Sequence, residues 1–228
     1  MSDVPRGTVT FLFTDIVGST RLWERHPEAM GEALRQHDAL MRESSSKHEG
    51  HVFKTVGDAF CVAFHTPRQA LAAAIHAQQS LARMKWEGLE SLVVRMGLHT
   101  GTAEWRDGDY FGGTLNRTAR IESAAHGGQI LLSQVTQELL EDDRPEHTAF
   151  KSLGNHRLRN LDRPEHLYQA LVAGLERDFP PPRSLEVLPN NLPVQTSSFV
   201  GREREIEEVK RRLEKTRLLT LLGTGGTG

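Results

Sequence analysis

Cysteine is almost missing: Cys61 is the only one in 228 residues. No internal disulfide and no cysteine-built metal centre is therefore open to the chain, which fits a reducing compartment. Long apolar runs are missing too. None approaches the roughly 20 residues of a membrane helix, and the N-terminus lacks a signal-peptide core, so the expectation is a cytoplasmic protein with no membrane partner. Excess charge of either sign is absent, the formal net charge being −2. That removes the electrostatic reason to expect nucleic acid or an anionic surface as partner. There are 11 histidines, but none falls in an HExxH pattern, so the scattered imidazoles read as surface or packing groups.

What is present is ordinary globular chemistry, 37% hydrophobic and 25% charged, enough for one well-buried domain and something more. Thr8 to Thr14 alternates, with Val9, Phe11 and Phe13 on one face, and reads as a strand. Asp15 ends it. Gly18-Ser19-Thr20 then opens a helical stretch to about residue 47, with Ser19 or Thr20 as cap and Pro27 bending or restarting the run. "HVFKTVGDAFCVAF" spells two strands around a Gly57-Asp58 turn. Thr66, Pro67 and Gln69 form a helix-opening capping box. "SLVVRMGLHTG" reads as a strand with Val94, Met96 and Leu98 inward, and a helix is expected from Thr114 to Ala124. A short strand, a short helix and two weaker strands follow. The order predicts an α+β domain, a mainly antiparallel sheet with helices packed on one face, over residues 1–173. Residues 174–196, with five of the ten prolines, read as a linker or an extended wrap over the surface.

Three polar stretches sit where strands end. Asp15 and Asp58 would converge at the tips of neighbouring strands, and two carboxylates there suit two Mg²⁺ or Mn²⁺ ions. Such ions, about 4 Å apart, activate an attacking oxygen and stabilise a leaving pyrophosphate. The backbone N–H groups of Val17 to Thr20 would face the phosphates. Asn116 and Arg120, four apart on one helix, share a face.

"FTDIVGST", "KTVGD" and "GDYFGGTLNRTAR", in this order, resemble the catalytic domain of class III nucleotidyl cyclases, from about Gly7 to Ala170. The resemblance implies the ferredoxin-like cyclase fold, with Asp15 and Asp58 as metal ligands and the Ile16 carbonyl completing the coordination. It implies substrate contacts by Gly18, Ser19 and Thr20, and purine reading by Lys54 and Asp109, though a one-residue shift would substitute Asp107. Asn116 would orient the ribose, and Arg120 would meet the transition-state charge. The terminal phosphates would take a basic residue near His156 or Arg157; the local pattern does not fix which. A lysine donor with an aspartate acceptor complements adenine N1 and its 6-amino group, whereas guanine reverses that polarity, so ATP is the expected substrate. The family builds each site between two catalytic domains. One chain here carries both residue sets, so a two-fold homodimer with two equivalent sites is expected. A guanylate cyclase, a nucleotide sensor without catalysis and an unrelated metal-dependent phosphotransferase are the rival readings.

The tail, 197–228, offers a charged helix, an apolar strand at Leu218 to Leu222 and "GTGGTG". Gly223 and Gly228 match the glycines of a phosphate loop, but its Lys and Ser/Thr do not follow. With "FVGRE" ahead of it, the tail resembles the start of an NB-ARC or AAA-like ATPase domain. The expectation is a fragment of a longer protein whose C-terminal ATPase region regulates the enzyme.

Overall fold

A computed structural model describes residues 4–185, 207–209, 211–212 and 216. Two compact units emerge, Met1–Leu188 and Pro189–Gly228. In the second, the described residues include a helical piece in which Arg212 Nε donates to Glu208 Oε1 at 3.1 Å. The expected strand at 218–222, the phosphate-loop glycines and "FVGRE" lie outside the described residues.

In the first unit the chain runs β1 (Gly7–Ile16), α1 (Ser19–Arg25), α2 (Pro27–Lys47), β2 (His51–Val56), β3 (Ala59–Phe64), α3 (Pro67–Arg83) and β4 (Val94–Arg106). It continues β5 (Asp109–Phe111), α4 (Gly113–Ala124), β6 (Ile130–Ser133), α5 (Gln134–Leu139), β7 (Thr148–His156) and β8 (Glu165–Val172). The sheet order is β2-β3-β1-β4-β6-β8-β7, antiparallel except between β4 and β6, with β5 turned back on β4. This is the expected α+β architecture with its mainly antiparallel sheet, except that α4 lies on the face opposite α2 and α3.

Local chemistry explains the boundaries. Pro27 stands at the start of α2, where its missing N–H costs nothing. Thr66 accepts from Gln69 N–H and Gln69 returns a bond to Thr66 N–H, a capping box worth about 1 kcal/mol. The helix before it differs from expectation: Gly18, in the left-handed conformation at φ 74°, is the N-cap of α1, and no side chain caps it. Ser19 and Thr20 lie one and two residues inside.

Alternation gives the sheet two faces. Leu12, Val62, Met96 and Leu98 are fully or almost fully buried and pack with Met30, Met41 and Leu71 from α2 and α3. Each such side chain contributes roughly 1.5–3 kcal/mol by leaving water. The opposite face carries Phe11, with Phe53, Tyr110 and Trp105 gathered at ring separations of 4.7–5.8 Å. Helix α4 also lies on this second face, against β4. Gly97 and Gly101 make that possible: a Cβ on Gly97 would come within 2.3 Å of Glu122 N, and one on Gly101 within 2.9 Å of Thr114 Oγ1. Helices therefore cover both sides, because two glycines four apart on one strand let a helix backbone rest directly on it.

Both outermost strands are irregular. β2 shifts register between Val52 and Lys54, and β7 between Ser152 and Gly154. The first shift matters for chemistry. Without the extra residue Phe53, Lys54 would pair with Phe60 and point at the α2–α3 side. With it, Lys54 pairs with Cys61, which pairs with Phe13, so Lys54 joins the face that carries Asp15.

Candidate active site

Asp15, the last residue but one of β1, stands opposite Arg95 of β4. The Arg95 guanidinium donates twice to Asp15 Oδ2, from Nη2 at 2.6 Å and from Nε at 3.1 Å. Asp58 follows Gly57 (φ 61°) in the β2–β3 turn, and its Oδ2 accepts from Ile16 N–H at 3.0 Å. That bond ties the hairpin tip to the end of β1. Val17 N–H is taken by Val93 O at 2.9 Å, so the Ile16 N–H and carbonyl face the other way, toward the side where Asp58 stands. The expectation for Val17 is thereby corrected: its N–H is spent on the sheet and is not open to a phosphate. Gly18, Ser19 and Thr20 carry the open N–H groups at the start of α1.

Among the described residues no group of three or more His, Cys, Asp or Glu is placed to hold a metal. The donor set at the β1 tip is two carboxylates and a carbonyl. Their Oδ1 atoms are not used by Arg95 or Ile16. All-oxygen and few in number, it fits a hard cation that keeps water and phosphate in its other positions.

Lys54 Nζ donates to Asp109 Oδ2 across from β2 to β5. Asp109 Oδ1 accepts from Tyr110 N–H at 2.8 Å, and Tyr110 O–H donates to Pro5 O at 2.6 Å. The aromatic cluster under Tyr110 thus fixes the strand that presents Asp109. The Lys54 bond holds the Asp109 carboxyl below its usual range and raises the lysine. Asp107 has no part in this: its side chain is 90% exposed in the β4–β5 turn, with φ 52°.

Asn116 and Arg120 project from α4, the first exposed and the second half-buried. Asn116 borders a cleft of about 680 Å³ with His99, Thr114, Arg117 and Arg163. Arg120 borders another, of about 370 Å³, with Arg159 and Arg183. Of the basic residues near the end of β7, His156 is engaged through both nitrogens, Nε2 on Leu153 O and Nδ1 on Ser184 Oγ. Arg157 does not border Arg120's cleft. Arg159 does, and sequence reasoning missed it because "HRLR" offers three basic groups and only the turn after β7 selects one.

Arg95 and Glu122 were missed as well. Glu122, on α4, carries no local signal of burial, yet it is 8% exposed. Arg95 Nε lies 2.6 Å from its Oε1 yet is aimed at Asp15, so that oxygen lacks an aligned hydrogen bond. Burial pushes the Glu122 carboxyl up to about 7, against the pull of Arg95. The folded chain thus keeps a proton that an unfolded glutamate loses above about pH 4.5. This contribution is full at low pH and fades as pH rises through 7. Relative to Glu122→Gln, the parent should lose about 3 kcal/mol of stability between pH 5 and 8, read by urea unfolding in metal-free buffer. A constant difference would mean that Arg95 keeps Glu122 ionised throughout. Burial also pushes the Cys61 thiol up to about 11, as suits a packing residue and not a nucleophile.

A strand-end pair of carboxylates and a lysine–aspartate pair thus share one sheet face, and a helix offering Asn and Arg packs on that same face. The family model of the adenylate and guanylate cyclase catalytic domain matches residues 2–169, and the chain belongs to that family. An uncharacterized protein of Mycobacterium tuberculosis is 38% identical over 205 residues, covering 89% of this chain and 70% of that protein. The receptor-type adenylate cyclase GRESAG 4.3 of Trypanosoma brucei brucei is 31% identical over 72% of this chain, which spans 17% of its length. Among solved structures, adenylate cyclases from Trypanosoma brucei in their monomeric state superpose with TM-score 0.74 at 28% identity, over 78% of this chain and 95% of that one. The adenylyl cyclase CyaB from P. aeruginosa gives 0.65 at 27%, over 78% of this chain and 100% of that one.

Proposed function

We propose that the chain is an adenylate cyclase, converting ATP to 3′,5′-cyclic AMP and pyrophosphate at two equivalent sites shared across a homodimer. The observation that supports this reading is the Lys54–Asp109 contact on the sheet face that also carries Asp15. Donor and acceptor stand side by side, matching adenine N1 and its 6-amino group, and a buried polar group left unpaired costs roughly 1–3 kcal/mol. Asp15, Asp58 and the Ile16 carbonyl would hold two Mg²⁺ or Mn²⁺ ions. Such ions supply charge that activates the ribose 3′-oxygen and stabilises the leaving pyrophosphate.

The chain's own groups do the rest. Asn116 orients the ribose so that its 3′-oxygen meets the α-phosphorus in line; one P–O bond forms as the bond to pyrophosphate breaks, and the 3′-hydroxyl proton passes to water. Arg120, without an acidic partner among the described residues, is available for the negative charge that gathers on the α-phosphate oxygens. The N–H groups of Gly18, Ser19 and Thr20 and the Arg159 guanidinium serve the terminal phosphates. Among the described residues no helix is long and apolar enough to cross a membrane. A cytoplasmic signalling enzyme, regulated by an ATPase region C-terminal to the cyclase domain, is the biological setting this reading favours.

The test is cyclic nucleotide formed with Mn²⁺ and either ATP or GTP, across protein concentration. ATP-selective product that rises faster than linearly with protein is the expected result. Nucleotide bound without any product would leave a sensor in place of an enzyme.

A further inference from the structure

The stretch after β8 is pinned across the catalytic domain. Gln169 Nε2 donates to Arg177 O at 2.9 Å, and the Phe179 ring stacks on His126 at 6.3 Å and 10°. His126 Nε2 donates to Pro181 O at 3.0 Å. Arg183 N–H meets Ala124 O, the last carbonyl of α4, at 2.9 Å, and Leu185 N–H meets Arg157 O at 3.0 Å. Ser184 Oγ bonds His156 Nδ1 at 3.1 Å. These contacts fix where the Arg183 side chain is offered. It borders the cleft of about 370 Å³ whose other walls include Arg120 and Arg159.

Three guanidinium groups thus line one cleft, and among the described residues no carboxylate lines it with them. None of the three is ion-paired with a described residue. Like charges so gathered repel, and what relieves them is an anion with several oxygens, which guanidinium forks bind bidentately. The family match ends at residue 169, so Arg183 comes from outside the catalytic domain proper.

We propose that Arg183 is a substrate-binding residue for the polyphosphate chain of the nucleotide, so that the proline-rich strap completes the site it crosses. This rests on the cyclase reading above, and the helix-end position of Arg183 supplies the competing explanation, a cation that only complements the C-terminus of α4.

The full chain, Arg183→Ala, Arg183→Lys and Arg177→Ala are compared in two assays, inorganic pyrophosphate binding by calorimetry and steady-state cyclisation of ATP. Arg177 has the same charge on the same strap but does not border the cleft. The expected result for Arg183→Ala is about tenfold weaker pyrophosphate binding, about 1.4 kcal/mol, with KM for ATP up by a similar factor and kcat within about twofold. Arg183→Lys should recover most of this, and Arg177→Ala should match the parent. Unchanged pyrophosphate affinity in Arg183→Ala overturns the proposal. So does a fall in melting temperature and kcat alone, which is the signature of helix-end stabilisation. The backbone bond from Arg183 survives any side-chain change, and Arg183→Gln serves in the same comparison if the alanine variant does not fold. Pyrophosphate binding needs no turnover. A parent chain that makes no product therefore refutes the cyclase reading while the binding comparison still decides Arg183.

Discussion

Chains carrying Asp15→Ala and chains carrying Asn116→Ala, each reduced at least about a hundredfold, should regain about a quarter of parental cyclase activity when mixed in equal amounts. The fraction follows from symmetry. Random pairing makes about half of the dimers mixed, and in each mixed dimer one site collects both lesions while the other collects neither. The single variants should fail for different reasons. Asp15→Ala removes a carboxylate from the β1 tip, yet Arg95 keeps Glu122 as a partner, so the fold should persist. Asn116 is exposed on α4, and its loss should touch orientation of the sugar and little else. Activity of the mixture is read against each variant alone at the same total protein. Recovery no greater than the sum of the two would mean that each chain builds its site alone.

The second large effect should come from Lys54→Glu. Replacing the donor with an acceptor beside Asp109 removes the complement to adenine and creates one for the N1–H of guanine. The ratio of kcat/KM for ATP over GTP should fall at least about tenfold. Stability should hardly move. Lys54 is 49% exposed, and solvent screens an ion pair that open, so little stability rests on it. Specificity can therefore be read without a folding artefact, and Lys54→Gln provides a neutral midpoint. An unchanged ratio with a folded enzyme would mean that this pair does not read the base.

Much of this was legible in the residues, for identifiable reasons. Alternation of Val9, Phe11 and Phe13 gave β1, the Thr66-Pro67-Gln69 box gave the start of α3, and Gly57-Asp58 gave the hairpin, because each signal is local. What stayed hidden depends on partners far away in the chain. Nothing near Glu122 says that it is buried; its neighbour is Gly97, which admits the helix. Nothing near Phe53 announces a bulge, yet that one extra residue decides which way Lys54 points. Gly18 took the cap position from Ser19 and Thr20 because the chain leaves the sheet directly after Val17, whose N–H bonds Val93, and a glycine at φ 74° turns it at once into a helix whose first bond is accepted by Gly18 O. Arg159 and Arg183 meet only after β7, β8 and the following strap are folded.

The two register shifts in β2 and β7 have a consequence for how copies of this chain can meet. An outermost strand with an even ladder of free N–H and C=O groups is a template for a stranger's strand, and so for fibres. Here both ends of the sheet are broken by an extra residue, which twists the edge and interrupts that ladder. Growth of the sheet from chain to chain is disfavoured at both margins. The homodimer proposed above would instead pair through the broad surface that displays Asp15, Lys54 and Asp109, where a second molecule would close the array instead of extending it.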